Sequence, residues 1–264
     1  MSGQPECDDQ RTIDELVRFA LSETSEELSW QAVTVLHFRG TQEVLEHAKR
    51  LSASSCNRER RLGADILGQL GVPDRTFSVE CTAILCGMLS VEEDAQVLAS
   101  ILIALSFQNC SDALPLISSF SDHSDPNVRH AVVQALATEE CPAAITNLVR
   151  LSKDSDDNVR DWATFALGTL FEADTAEIRD ALFERIADSH NDTRGEALVG
   201  LARRKDSRVI DTLRREFASD CIGTLSIEAA ELIASKELRQ PLVKLQQWWN
   251  VDPQLLARAI AACE

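Results

Sequence analysis

The chain has 264 residues, 44% of them hydrophobic but only 5% aromatic and none tyrosine, so its core must be Leu, Ala, Ile and Val packed between helices. Forty-three acidic against 26 basic side chains leave a net charge of −17, which repels a phosphate backbone and sets nucleic acid aside as a ligand. The most apolar stretch, 97–107, is broken by Ser100 and Ser106 and is too short to cross a bilayer, so no membrane contact is expected.

Residues 1–10 are polar and acidic, carry no basic or apolar run of a secretory signal, and are expected to be disordered. From residue 11 onward, apolar residues spaced i, i+3, i+4 and i+7 predict helices in pairs. The pairs are 11–22 with 26–38, 41–52 with 57–70, 77–89 with 92–107, 112–120 with 126–138, 142–152 with 157–171, 175–187 with 192–204, 207–218 with 224–235, and 239–249 with 252–263. Short links make the two members of each pair antiparallel neighbours. The links Ser124-Asp125-Pro126, Ser155-Asp156-Asp157 and His190-Asn191-Asp192 offer side-chain oxygens at helix starts. Gly71-Val72-Pro73-Asp74 is a longer loop whose Gly and Pro stop the helix before it.

The second helix of successive pairs carries a recurrent leucine: Leu36, Leu67, Leu105, Leu136, Leu167, Leu201 and Leu232, at intervals of 31, 38, 31, 31, 34 and 31. Recurrence at that length predicts a repeat array in one continuous domain over 1–264, with 239–264 as its C-terminal capping helices. The clearest copies run from Asn127-Val128-Arg129 to Ala135-Leu136 and from Asn158-Val159-Arg160 to Ala166-Leu167, with a looser third from Asp192-Thr193-Arg194 to Leu201. Asp154 lies six residues before Arg160 and Asp188 six before Arg194; for Arg129 the acid shifts to Asp122 or Asp125. Such an Arg, just inside the second helix, reaches the carboxylate and carbonyls of a turn below it and in an adjoining repeat, so Arg129, Asp154, Arg160, Asp188 and Arg194 are expected to be structural.

This pattern resembles the HEAT repeat, in particular the short bacterial form also seen in subunits of phycobilin lyases. The resemblance covers about residues 25–236 and implies an all-α, right-handed α-solenoid of about seven to eight antiparallel hairpins. It further implies that the second helices line an inner, concave wall, where Trp30, His37, Arg61, Asp65, His130, Gln134, Asp161 and Phe165 are the candidate binding residues. A non-catalytic scaffold or adaptor is expected, binding a protein of basic or mixed surface as a monomer or weak dimer. The alternative is a lyase-like or chaperone-like subunit handling a tetrapyrrole-bearing protein.

Catalytic readings find little support in the residues. Deoxyhypusine hydroxylases of this repeat type hold iron with His-Glu pairs, but none of His37, His47, His123, His130 and His190 is followed by Glu, so neither metal nor cofactor is expected. Glu46-His47 is reversed and single, and reads as a solvated helix face. Glycosylases built on similar repeats need a positive groove, which the charge opposes. No phosphate loop, nucleophile elbow or zinc-protease helix occurs. Cys7, Cys56, Cys81, Cys86, Cys110, Cys141, Cys221 and Cys263 lack zinc spacing and are expected to be free thiols in a reducing cytoplasm. Trp162, in an apolar row with Val159, Ala163 and Ala166, is expected in the core. Of the adjacent Trp248 and Trp249, only one is expected to pack beneath the last helix, because neighbouring helical residues diverge by about 100°.

Overall fold

The computed structural model describes residues 9–108, 111–219 and 222–264. Helices and turns account for it, with no strand among the described residues. It is an all-α solenoid fold of antiparallel hairpins, and its contacts group into two compact units, one up to Glu139 and one from Glu140.

The first unit holds α1 (Ile13–Ser22), α2 (Glu26–Arg39), α3 (Gln42–Ser52), α4 (Asn57–Gly68), α5 (Ser78–Leu89), α6 (Ala95–Ser106), α7 (Leu114–Ser118) and α8 (Pro126–Leu136). The second holds α9 (Pro142–Leu151), α10 (Asp157–Phe165), α11 (Ala176–Arg185), α12 (Asn191–Arg203), α13 (Ile210–Glu216), α14 (Thr224–Ile233), α15 (Arg239–Leu245) and α16 (Pro253–Ala262). Each predicted helix thus has a counterpart. Two first helices begin later than predicted because their opening turns are 3₁₀, Ser111–Ala113 before α7 and Ser207–Val209 before α13. By contrast α15, preceded by the 3₁₀ turn Lys236–Leu238, starts where predicted but ends at Leu245 instead of 249. The end of α10 differs too, passing into a π-helical turn, Ala166–Leu170. The disorder expected for 1–10 falls, for residues 1–8, outside the described residues, as do Cys7, Cys110 and Cys221.

Second helices pack on one another in chain order: α2, α4, α6 and α8 in the first unit, α10, α12, α14 and α16 in the second. Leu36, Leu67, Leu105, Leu136, Leu167 and Leu201 are fully buried at these junctions. Leu232, where Glu231 replaces the preceding small residue, is only half-buried. Helix starts follow cap chemistry. Thr12 and Glu15 form a reciprocal capping box on α1, Asp125 caps α8 and Asp156 caps α10. On α12 the cap is the His190 ring nitrogen, rather than an oxygen, accepting from Thr193 N at 3.4 Å.

Two glycine pairs set how closely repeats approach. Gly71, at φ +76°, donates its N–H to the His37 carbonyl at 2.8 Å, and a Cβ on Gly40 (φ +50°) would stand 2.6 Å from the Gly71 Cα. In the second unit a Cβ on Gly200 would stand 2.5 Å from the Gly168 Cα, so the π-helical turn and α12 touch backbone to backbone.

Arginines tie one repeat to the next. The Arg160 guanidinium donates to the Asp154 carbonyl at 2.9 Å, to the Asp157 carboxylate at 2.6 Å, and with two nitrogens to the Asp188 carboxylate at 2.8 and 3.0 Å. Arg194 repeats the figure with the Asp188 carbonyl, the Asn191 side chain and the Glu216 carboxylate. Arg129 donates to the carbonyls of His123 and Ser124. The residue six before each arginine therefore supplies its backbone oxygen. The carboxylate that binds Arg160 with two bonds, Asp188, belongs to the following repeat's turn, because the side chain projects toward that turn from the first turn of its own helix. Burial pushes the Asp188 carboxyl up, but the bonds from Arg160 and the His190 N–H outweigh it and hold the carboxyl below its ordinary range.

Candidate functional site

In the first unit, α1, α2, α4 and the start of α6 enclose an open cleft of about 400 Å³. Three predicted binding residues meet there: Trp30 from α2, and Arg61 and Asp65 one turn apart on α4. The Trp30 indole is 38% exposed, a large value for that side chain in a folded chain. Arg61 stands 3.7 Å from the Glu26 carboxylate and 3.9 Å from that of Asp65, beyond hydrogen-bond distance of either. The Asp65 side chain is only 16% exposed. Burial raises its carboxyl to about 6, opposed by the Arg61 charge and a hydrogen bond from Ser100 and reinforced by Glu26.

His37, expected on this surface, lies beneath it instead. It is 4% exposed, its Nε2 is 2.9 Å from the Asp65 carbonyl, and burial lowers its pKa. The reason is helical phase: His37 is four residues beyond the buried Val33 and so falls on the stripe facing α4. The ring sits 6.4 Å from that of Trp30 and props the α4 backbone under the cleft. His130 and Gln134 are half-buried neighbours on α8 and do not join this group.

Asp161 and Phe165 belong to the second unit. Asp161 is half-buried and hydrogen-bonded to Thr193 of α12; burial raises its pKa, and the Asp192 charge adds to this while His190 opposes it. Phe165 meets Trp162 edge to face at 5.8 Å. Trp162 is 40% exposed, correcting the expectation that it packs in the core. Val159, Ala163 and Ala166 form the buried stripe, and Trp162 lies about 60° to one side of it. Glu196 stands nearby on α12, its carboxyl raised to about 7 by burial and then by Asp161, with a long hydrogen bond from Thr169 at 3.4 Å.

Three further arrangements escaped the sequence reading. Arg60 grips Glu92 at 2.7 and 2.9 Å and the carbonyls of Ser54 and Ser55, the same figure as Arg160; its place seven residues before Leu67 is the signal that would have found it. Gln108 donates to the Gly68 carbonyl at 2.7 Å, closing the end of α4. Arg204 donates to the carbonyls of Leu167, Gly168, Phe171, Ala173 and Gly200 at 2.8–3.1 Å, closing the π-helical turn. Gln108 and Arg204 each lie three residues beyond their repeat leucine, so this position supplies caps to the preceding repeat.

Among the described residues, Cys81 and Cys263 are buried free thiols; burial raises both, Cys81 to about 11, far from a reactive thiolate. No group of three or more His, Cys, Asp or Glu gathers there as a metal site would require. No described helix is long and apolar enough to cross a membrane.

The sequence pattern of HEAT repeats matches residues 82–168 and 148–234. The chain belongs to the HEAT-repeat family. The HEAT-repeat chain is also similar to YibA of Escherichia coli: its fold matches the X-ray structure with a TM-score of 0.82 and 26% identity, over 96% of this chain and 93% of that one. In sequence, YibA of strain K12 is 32% identical over 100 residues, which span 38% of this chain and only 35% of that curated relative. An engineered protein shares the fold at TM-score 0.57 and 17% identity, over 95% of this chain and 77% of that one.

Proposed function

We propose that this HEAT-repeat chain is a non-catalytic scaffold that binds another protein of basic or mixed surface. The observation that carries the reading is the open cleft in the first unit, where a half-exposed indole stands beside one loosely held guanidinium and one largely buried carboxylate. Exposed Trp and Arg beside an apolar floor are the residue types that anchor protein interfaces. The net charge of −17 favours a basic partner and accelerates its encounter. The arginines that look most reactive, Arg160, Arg194 and Arg60, are each engaged in joining repeats.

The test is affinity capture from native lysate with the wild-type chain and with Asp65→Lys and Asp161→Lys. A captured protein that weakens with salt and is lost from one of the variants supports the reading. Capture indifferent to salt and to both substitutions overturns it.

A further inference from the structure

Resting on the scaffold reading and deepening it, we infer that the cleft of Trp30 and Asp65 receives an arginine side chain from an extended segment of the partner. Its guanidinium lies against the indole and pairs with the Asp65 carboxylate in the place that Arg61 now holds loosely.

The contrast between adjacent arginines on α4 is the starting point. Arg60 is clamped on Glu92 at 2.7 and 2.9 Å, as Arg160 and Arg194 are clamped on their acids. Arg61 makes no hydrogen bond among the described residues and stands between Glu26 and Asp65 at ion-pair distance from both. It therefore neutralises Asp65 incompletely. A carboxylate that is largely buried with a cation at 3.9 Å gains from a cation at hydrogen-bond distance, since the burial cost has already been met by the fold.

Trp30 adds a second demand of the same sign, because the face of an exposed indole attracts cations and stacks on a planar guanidinium. The lining as a whole agrees: Glu23, Glu26, Asp65 and Asp94 outnumber Arg58 and Arg61. Arg58 is partly engaged already, donating to the Leu21 carbonyl at 2.8 Å. The cleft is open to solvent and roomy enough for a long side chain with the backbone on either side of it, so it suits a residue presented on an extended segment. Arginine fits better than lysine because its planar fork satisfies a carboxylate with two bonds while presenting a face to the ring. Arg61 is a rival for the same acid, and removing it should open the site.

The experiment is a titration of the full chain with the acetylated peptide Gly-Ser-Arg-Gly-Ser, following the Trp30 indole N–H resonance, which Trp30→Phe assigns. The citrulline peptide, of the same shape without the charge, is the control, and glutamate and lysine peptides complete the set. The expected result is a shift of the Trp30 signal with the arginine peptide, weaker with lysine and absent with citrulline or glutamate. Asp65→Asn should weaken that binding roughly tenfold or more, and Arg61→Gln should tighten it. Equal response to citrulline, no response of Trp30, or a glutamate peptide that binds and is lost in Arg61→Gln overturns the proposal, the last outcome assigning the cleft to an anion. Arg61→Gln and the citrulline control keep the test decisive if Asp65→Asn folds poorly. A lysate partner captured normally by Asp65→Asn would sink this inference while leaving the scaffold reading intact.

Discussion

Arg160 and Asp188, 28 residues apart, meet in a two-pronged ion pair at 2.8 and 3.0 Å that joins the start of one repeat's second helix to the turn of the next. Arg160 is 8% exposed and the Asp188 side chain 5%. Replacing Arg160 by Ala leaves the buried Asp188 carboxylate with only Arg185 at 3.2 Å and the His190 N–H at 3.0 Å and removes a donor from the Asp154 carbonyl, and should cost about 1–3 kcal/mol. Urea titration of the single variants and of Arg160→Ala with Asp188→Ala checks this. The double variant should lose less than the two singles added together.

The Gly168–Gly200 contact predicts a sharp asymmetry among glycines. Gly200→Ala drives a methyl onto backbone and should destabilise by about 1–3 kcal/mol. Gly87→Ala, on α5 with no atom within 4 Å of the added carbon, should stabilise by roughly 0.5–1 kcal/mol. Thermal melts moving in the same direction for both would refute the packing argument.

Arg204 holds five carbonyls, four of them (Leu167, Gly168, Phe171 and Ala173) at the end of the preceding repeat and the fifth, Gly200, on α12 itself. Arg204→Leu keeps much of the apolar stem but leaves those oxygens without a donor. Hydrogen exchange should accelerate across 166–173 well before it does across α14. Uniform exchange across the second unit would show that the cap has no local role.

Glu196 governs a pH dependence. Its folded carboxyl is raised to about 7 from an ordinary 4.5, by burial and by Asp161, while Glu228 and Asp192 add to the effect and Thr169 opposes it. The folded state therefore binds the proton more tightly than the unfolded state. This contribution to stability is full below about 4.5, is lost as pH rises toward 7, and stays lost above it. Glu196→Gln should thus melt higher than wild type at pH 8, with the gap closing by pH 4. A gap that is constant with pH would remove Glu196 as its source.

Much of this fold is legible in the sequence because its signals act within one or two helical turns. The pairs of helices, the caps Asp125 and Asp156 and the buried leucines all follow from a 3.6-residue period and from local hydrogen bonding, whereas Trp248 and Trp249 stand beyond the end of α15, and which of them is buried is set by packing. Trp248 is 48% exposed while Trp249 is 5% exposed and donates its indole N–H to the Ile222 carbonyl.

What only the tertiary structure decided concerns the offset between repeats. The sequence places Asp154 and Asp188 each six residues before an arginine, but it cannot say that Arg160 meets the carboxylate of Asp188 and only the backbone oxygen of Asp154. Nor does it place His37 beneath the cleft, Trp162 outside the core, or Glu196 beside Asp161. A helix's own period fixes which residues share a face, whereas the rotation and rise from one hairpin to the next depend on backbone contacts such as Gly168 with Gly200. A few ångströms of that offset determine which charge a guanidinium reaches.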